Sequence, residues 1–234
     1  MKEGYEPSAT QPPSFREEIP EELLRSWNTN NFSIETYGET YSVIMLGEGH
    51  HDSGAPGAQA KQVELIELIK PEYVLYESLK GLIYDPKARE FRKQANRRFN
   101  LDDLDTHDNK PDKPIMEAAD KIGFTIVGCD ITSEELKVIE KTITRENPLE
   151  YRYNYKLERV VKLDDPDFQA TIHSEIVVPF RDKQMVETML HYLGETTKPI
   201  ISIIGATHGA NIHAKKLLQD KNFGYAFVDQ GLKS

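Results

Sequence analysis

Four short apolar runs constrain this chain most: VIML at 43–46, VLY at 74–76, TIV at 125–127 and IISII at 200–204. A strand wetted on one face alternates apolar and polar residues. A run that stays apolar at nearly every position must be covered on both faces, as in a sheet sandwiched between helices. The intervening segments supply those helices. AQAKQVELIELI, with Val63, Leu65, Ile66 and Ile69, stops before Pro71; KPIMEAADKIG (113–123) ends at Gly123; SEELKVIEKTI (133–143) opens on Ser133 with two glutamates behind it. VPFRDKQMVETMLHYLG (178–194) and ANIHAKKLLQDKNFG (210–224) complete the set. Strands alternating with helices predict an α/β fold with a mainly parallel central sheet flanked by helices. EELLRSW (21–27) reads as a short helix, FSIETYGETYSVIML as a hairpin about Gly38, PIISIIGATHG (199–209) as one strand with its exit, and YAFVDQ (225–230) as a last strand.

With 234 residues the chain suits one sizeable domain. Residues 1–20, with Pro7, Pro12, Pro13 and Pro20, read as a flexible tail, and 21–234 as a single domain. Two charged stretches, 85–113 and 144–172, interrupt the α/β rhythm and are expected to be helical insertions. The 29 basic residues are outnumbered by 39 acidic ones, a net charge of -10, which argues against general nucleic-acid binding. The single cysteine, Cys129, excludes an intrachain disulfide and suits a reducing compartment; it reads as a small buried hydrophobe. No apolar leader precedes the domain and no apolar run is long enough to span a bilayer, so a cytoplasmic location is expected.

The strand ends carry the chemistry. VIML runs into Gly47-Glu48-Gly49-His50-His51, VLY into Glu77, TIV into Asp130 by way of Gly128 and Cys129, and IISII into Gly205-Ala206-Thr207-His208. In open α/β sheets ligands bind at the carboxyl ends of the strands. Histidine can serve as a base near neutral pH or ligate a transition metal, and a nearby carboxylate can orient it, share the metal or act as a base itself. Arg181, opening the helix before the last apolar run, could hold substrate charge or stabilise an oxyanion. Asp130 reads as a supporting turn residue, His213 as outward-facing, and His107, His173 and His191 as surface residues.

The ordered set Gly47-x-x-His50, Glu77, Arg181-Asp182-x-x-Met185 and Gly205-x-x-His208 resembles the TraB/PrgY family, related to the Tiki metalloproteases and more distantly to ChaN-like and erythromycin-esterase-like proteins. The resemblance spans roughly residues 41–230 and implies parallel strands with helices and a site at their carboxyl ends. It also implies metal-dependent peptidase- or esterase-like hydrolysis, with Glu48, His50, Glu77, Arg181 and His208 as catalytic residues and His50, Glu77 and His208 as ligands of Mn, Co or Zn. TraB members usually lack a glutamate at position 48, whereas the esterase-like and ChaN-like patterns have one. The esterase-like pattern pairs Glu48 with His51, and the TraB pattern selects His50. The expected partners are a peptide or small-molecule substrate and a second copy of the chain. The alternative is a non-catalytic binding protein for a metal, haem or small anion, with Tyr151-Arg152-Tyr153-Asn154-Tyr155 contacting a partner.

Overall fold

The computed structural model describes residues 17–25, 32–49, 57–95, 97, 111–147, 150–154, 159–162, 173–221 and 223–230. His50, His51, His107, Tyr155 and most of the expected tail lie outside these residues. In chain order the elements are β1 (Ile19–Pro20), α1 (Glu21–Arg25), β2 (Ser33–Tyr37), β3 (Thr40–Tyr41), β4 (Val43–Glu48), α2 (Ala58–Ile69), β5 (Tyr73–Tyr76), β6 (Leu82–Asp85) and β7 (Glu90–Lys93). There follow α3 (Lys113–Ile122), β8 (Thr125–Gly128), α4 (Ser133–Glu146), β9 (Tyr151–Asn154), β10 (Arg159–Lys162), α5 (Val178–Glu195), β11 (Ile200–Gly205), α6 (Ala206–Ala214) and β12 (Tyr225–Asp229).

An eight-stranded mixed sheet, in the order β2-β12-β4-β11-β5-β8-β6-β7, forms the centre of an α/β fold. β12, β4, β11, β5 and β8 pair in parallel, while β2 at one edge and β6 and β7 at the other run antiparallel to their neighbours. The apolar runs divide by parity. Ile44, Leu46, Val74, Tyr76, Ile126, Ile201 and Ile203 join one core cluster with Leu65 and Ile66 of α2 and Ile115 of α3. Val43, Met45, Leu75, Val127, Ile200 and Ile204 join the other, with Met185 and Met189 of α5 and Ile212 of α6. Continuous apolar strands are the consequence of helices on both faces. Each fully buried Ile, Leu or Met in these layers stabilises the fold by about 1.5–3 kcal/mol.

Three expectations are corrected. The hairpin about Gly38 does not form: β2 pairs with β12, and β3 pairs with β1. Gly38 serves a close backbone crossing instead. A Cβ there would lie 3.1 Å from the Cα of Gly224, and its φ of +86° is one that glycine tolerates. The charged excursion at 85–113 is not helical where it is described ahead of α3, because Glu90–Lys93 is an edge strand paired to β6. Phe91 anchors it against Tyr84 with ring centroids 5.0 Å apart, and its charged residues suit an edge that must not recruit another strand. The excursion at 144–172 contains the antiparallel pair β9 and β10 after the end of α4. Among the described residues no helix is long and apolar enough to cross a membrane.

Candidate functional site

Because five central strands run parallel, their carboxyl ends share one edge. Along it stand Gln230 after β12, Glu48 closing β4, Gly205 closing β11, Glu77 after β5 and Asp130 after β8. β11 ends at Gly205 and α6 begins at once, so Ala206-Thr207-His208 lie in the first turn of a helix rather than on the strand exit expected from sequence. The Gly205 N–H donates to Glu77 Oε2 at 2.5 Å. Glycine permits this approach. A Cβ at position 205 would stand 3.3 Å from Glu77 Oε2 and 3.7 Å from His208 Cδ2.

The first turns of α5 supply two adjacent residues with different partners. Asp182, fully buried, receives His208 Nδ1 on Oδ1 at 2.6 Å. A carboxylate accepts, so Nδ1 is the donor in this contact and Nε2 is the ring nitrogen left to face Glu77. That Nε2 lies 3.8 Å from Glu77 Oε1. Lys215 Nζ stands 3.4 Å from the other oxygen of Asp182 and offsets its buried charge. Arg181 turns the other way. Its Nη2 donates to Glu77 Oε1 at 2.5 Å and to Asp130 Oδ2 at 2.7 Å, and its Nε donates to both Asp130 oxygens at 3.0 Å. Burial pulls the Arg181 pKa down, but hydrogen bonds and charges of Asp130 and Glu77 outweigh it and hold the guanidinium protonated above its ordinary range.

Asp130 is itself fixed. Its Oδ1 accepts from the Ile131 N–H at 2.7 Å, and its carbonyl oxygen accepts from Arg97 Nη2 at 2.5 Å. Arg97 also forks onto Glu135, with both contacts at 2.7 Å, and Glu135 closes the capping box with Thr132 at the start of α4. Cys129, beside this knot, is fully buried; burial and then the charges of Glu77 and Asp130 push its thiol well up, so it stays protonated.

The structure therefore brings together Glu77, Arg181 and His208, and makes Asp130 part of the knot rather than a bystander. Glu48 is one strand over, in register with Gly205. Its Oε1 accepts from Gln62 Nε2 at 3.1 Å, and the same nitrogen donates to Gln230 Oε1 at 2.9 Å. His213 is half-buried rather than outward, with Nδ1 3.2 Å from the Tyr225 hydroxyl and Nε2 3.4 Å from Glu35. Asp182, not singled out from the sequence, joins the cluster through His208. The signal was present in the Arg181-Asp182 pair, an acid beside the arginine in the opening turns of a helix. Arg97 carried no such signal among its charged neighbours.

Among the described residues a divalent metal finds a poor donor set. His208 Nε2 and Glu77 Oε1 are the two described donors, yet both Glu77 oxygens are already engaged, one by a guanidinium whose charge would repel the ion. Among the described residues no group of three or more His, Cys, Asp or Glu is arranged to hold a metal ion. The third expected ligand, His50, lies outside the described residues. Comparison of the chain with known protein families, with curated proteins and with solved structures finds no match.

Proposed function

We propose that this chain is a hydrolase of amide or ester bonds in which His208 is the acid–base group. The observation that carries the reading is the buried Asp182–His208 pair at 2.6 Å, with Nε2 directed to within 3.8 Å of Glu77 beside Arg181. A histidine fixed through Nδ1 by a carboxylate can take a proton at Nε2 from an attacking water and return it to the leaving group. Glu77 would orient that water. The described bonds of Arg181 use Nε and Nη2, which leaves Nη1 as the donor for a developing oxyanion. The order of Glu77, Arg181-Asp182-x-x-Met185 and Gly205-x-x-His208 supports placing the chain with the TraB/PrgY and Tiki proteins, in the architecture that ChaN-like and erythromycin-esterase-like proteins share. Fold alone does not carry the activity, which is argued from the site.

The test is turnover by the purified chain on peptide and ester libraries, before and after chelation. The wild type is expected to cleave at least one class, and Asp182→Asn and His208→Ala to abolish it. A wild type that cleaves nothing, with or without Mn, Co or Zn, overturns the reading. Activity lost on chelation and restored by one of these metals would move the reaction to a metal centre built with His50.

A further inference from the structure

A groove of about 430 Å³ lies between α4 and α5, walled by Ile131, Val138, Ile139 and Phe180. We propose that this groove is the subsite for an apolar side chain of an amide substrate, next to the bond that His208 and Glu77 would cleave. The inference rests on the hydrolase reading of the site.

Position makes the first argument. α4 follows β8 and α5 precedes β11, so the first turns of both helices belong to the carboxyl edge of the parallel strands. The groove starts at those turns and runs on to Ile139 of α4 and Glu187 of α5. Ile131 directly follows Asp130, and Phe180 directly precedes Arg181, so two of its walls are chain neighbours of the ion-pair knot.

Exposure makes the second. Phe180 is 44% exposed and Val138 41%. Two of the exposed apolar side chains among the described residues thus line one groove beside a polar cluster, where a ligand could cover both. Val138 sits on the second turn of α4, where any residue of good helix propensity would serve the helix, so its apolar character is free to serve a ligand.

Size and rim make the third. The volume falls in the range of small-molecule sites and takes one large aliphatic or aromatic side chain with room to spare. Its rim carries three charged residues: Lys183 and Glu187, 3.8 Å apart, compensate each other, and Glu135 is compensated by Arg97 at 2.7 Å, so the groove offers no uncompensated charge for a charged side chain. Gln184, whose Nε2 donates to Thr188 Oγ1 at 3.2 Å, adds an amide that can meet a substrate backbone. Apolar walls with a neutral polar rim select an apolar side chain on a peptide-like frame.

The experiment has a binding arm and a turnover arm. N-acetyl-leucine amide and N-acetyl-glycine amide are titrated into the full chain and into Phe180→Ala and Phe180→Asp, by calorimetry or amide chemical shifts. Circular dichroism melts check that these exposed positions leave the fold intact. The wild type is expected to bind the leucine amide at least about tenfold more tightly than the glycine amide. Phe180→Ala is expected to reduce that preference several-fold and Phe180→Asp to erase it. In turnover, leucine-type substrates are expected to show a raised KM and an unchanged kcat in Phe180→Ala, because the groove binds but does not react. Equal affinity for the two amides, or a preference indifferent to Phe180, overturns the proposal. So does a wild type that sediments as a dimer while Phe180→Asp sediments as a monomer, which would make the groove a contact between copies. Phe180-dependent binding of the leucine amide without cleavage of any substrate would uphold the subsite and defeat the hydrolase reading.

Discussion

Gly47 and Gly205 stand near the ends of adjacent parallel strands, but the pairing sets Gly205 opposite Glu48, not opposite Gly47. Each glycine opens a G-x-x-H motif, and the two do different local work. Gly205 makes room for Glu77 and His208. Gly47 makes room for Phe227: a Cβ there would lie 2.7 Å from the ring and 3.0 Å from the Cα of Ala206. Gly209, just after His208, presses on the same ring. The Gly47 corner thus packs the ends of β4, β12 and α6 together, whereas Gly205 shapes the polar cluster. Identical spacing does not mean identical duty. What a motif glycine does depends on which neighbour its missing Cβ would have met.

The largest effects should come from the second motif. His208→Ala is expected to lower turnover by about 10²–10⁴-fold, the range general acid–base groups supply. Asp182→Asn should come close to it, because a buried asparagine no longer fixes the Nδ1 proton. A parallel loss in Lys215→Ala would mean that the charge around Asp182, rather than the histidine, is the limiting element. Full activity in Asp182→Asn would break the comparison at its stronger end.

His50 and His51 sharpen it from the other end. Counting from the two glycines, His208 corresponds to His50; counting from the paired positions Gly205 and Glu48, it corresponds to His51. The repeated spacing favours His50, so His50→Ala is expected to cost about 100-fold in turnover and His51→Ala much less. The reverse order would show that strand register is the better guide to the first motif.

The glycines separate stability from activity. Gly47→Ala is expected to destabilise the fold by about 1–3 kcal/mol, the usual cost of overpacking, since its Cβ meets an aromatic ring and a neighbouring backbone. Chemical denaturation checks this. Gly205→Ala should lose less stability and more activity, because its Cβ meets the tip of Glu77. If Gly205→Ala melted early and stayed active, Gly205 would be a packing residue like Gly47.

The covered strands, the helices and the edge where chemistry gathers were legible in the apolar runs, because burial on both faces leaves a one-dimensional trace. Glu77, Arg181 and His208 were legible as polar residues placed where strands end or helices begin. Asp182 was not singled out, because its role depends on Arg181 turning one way and Asp182 the other, which spacing does not encode. The edge strand Glu90–Lys93 was not legible, since the charge that protects an edge looks like the charge of an exposed helix. Nor was the β2–β12 pairing, a long-range contact for which a local glycine turn was mistaken.

The smallest expected effect concerns Glu48 and the Tyr76 hydroxyl. Burial, then the charges of Glu48 and Asp112, push the Tyr76 hydroxyl far above its ordinary range, and that hydroxyl lies 3.0 Å from Asp112 Oδ2. In the unfolded chain the same tyrosine loses its proton near pH 10, about its unperturbed value. Above that pH the folded chain therefore binds more protons than the unfolded one, and stability falls as pH rises, by at most about 1.4 kcal/mol per pH unit for this group. Below it the contribution is fully present. The stability gap between wild type and Tyr76→Phe, measured by denaturation, should be flat to about pH 9 and shrink between pH 9.5 and 11. Because burial is the largest cause, Glu48→Gln should keep most of that slope. If Glu48→Gln removed it instead, the first motif's carboxylate would be the dominant charge on Tyr76, and Glu48 would be as tightly coupled to its surroundings as Asp182 is to His208.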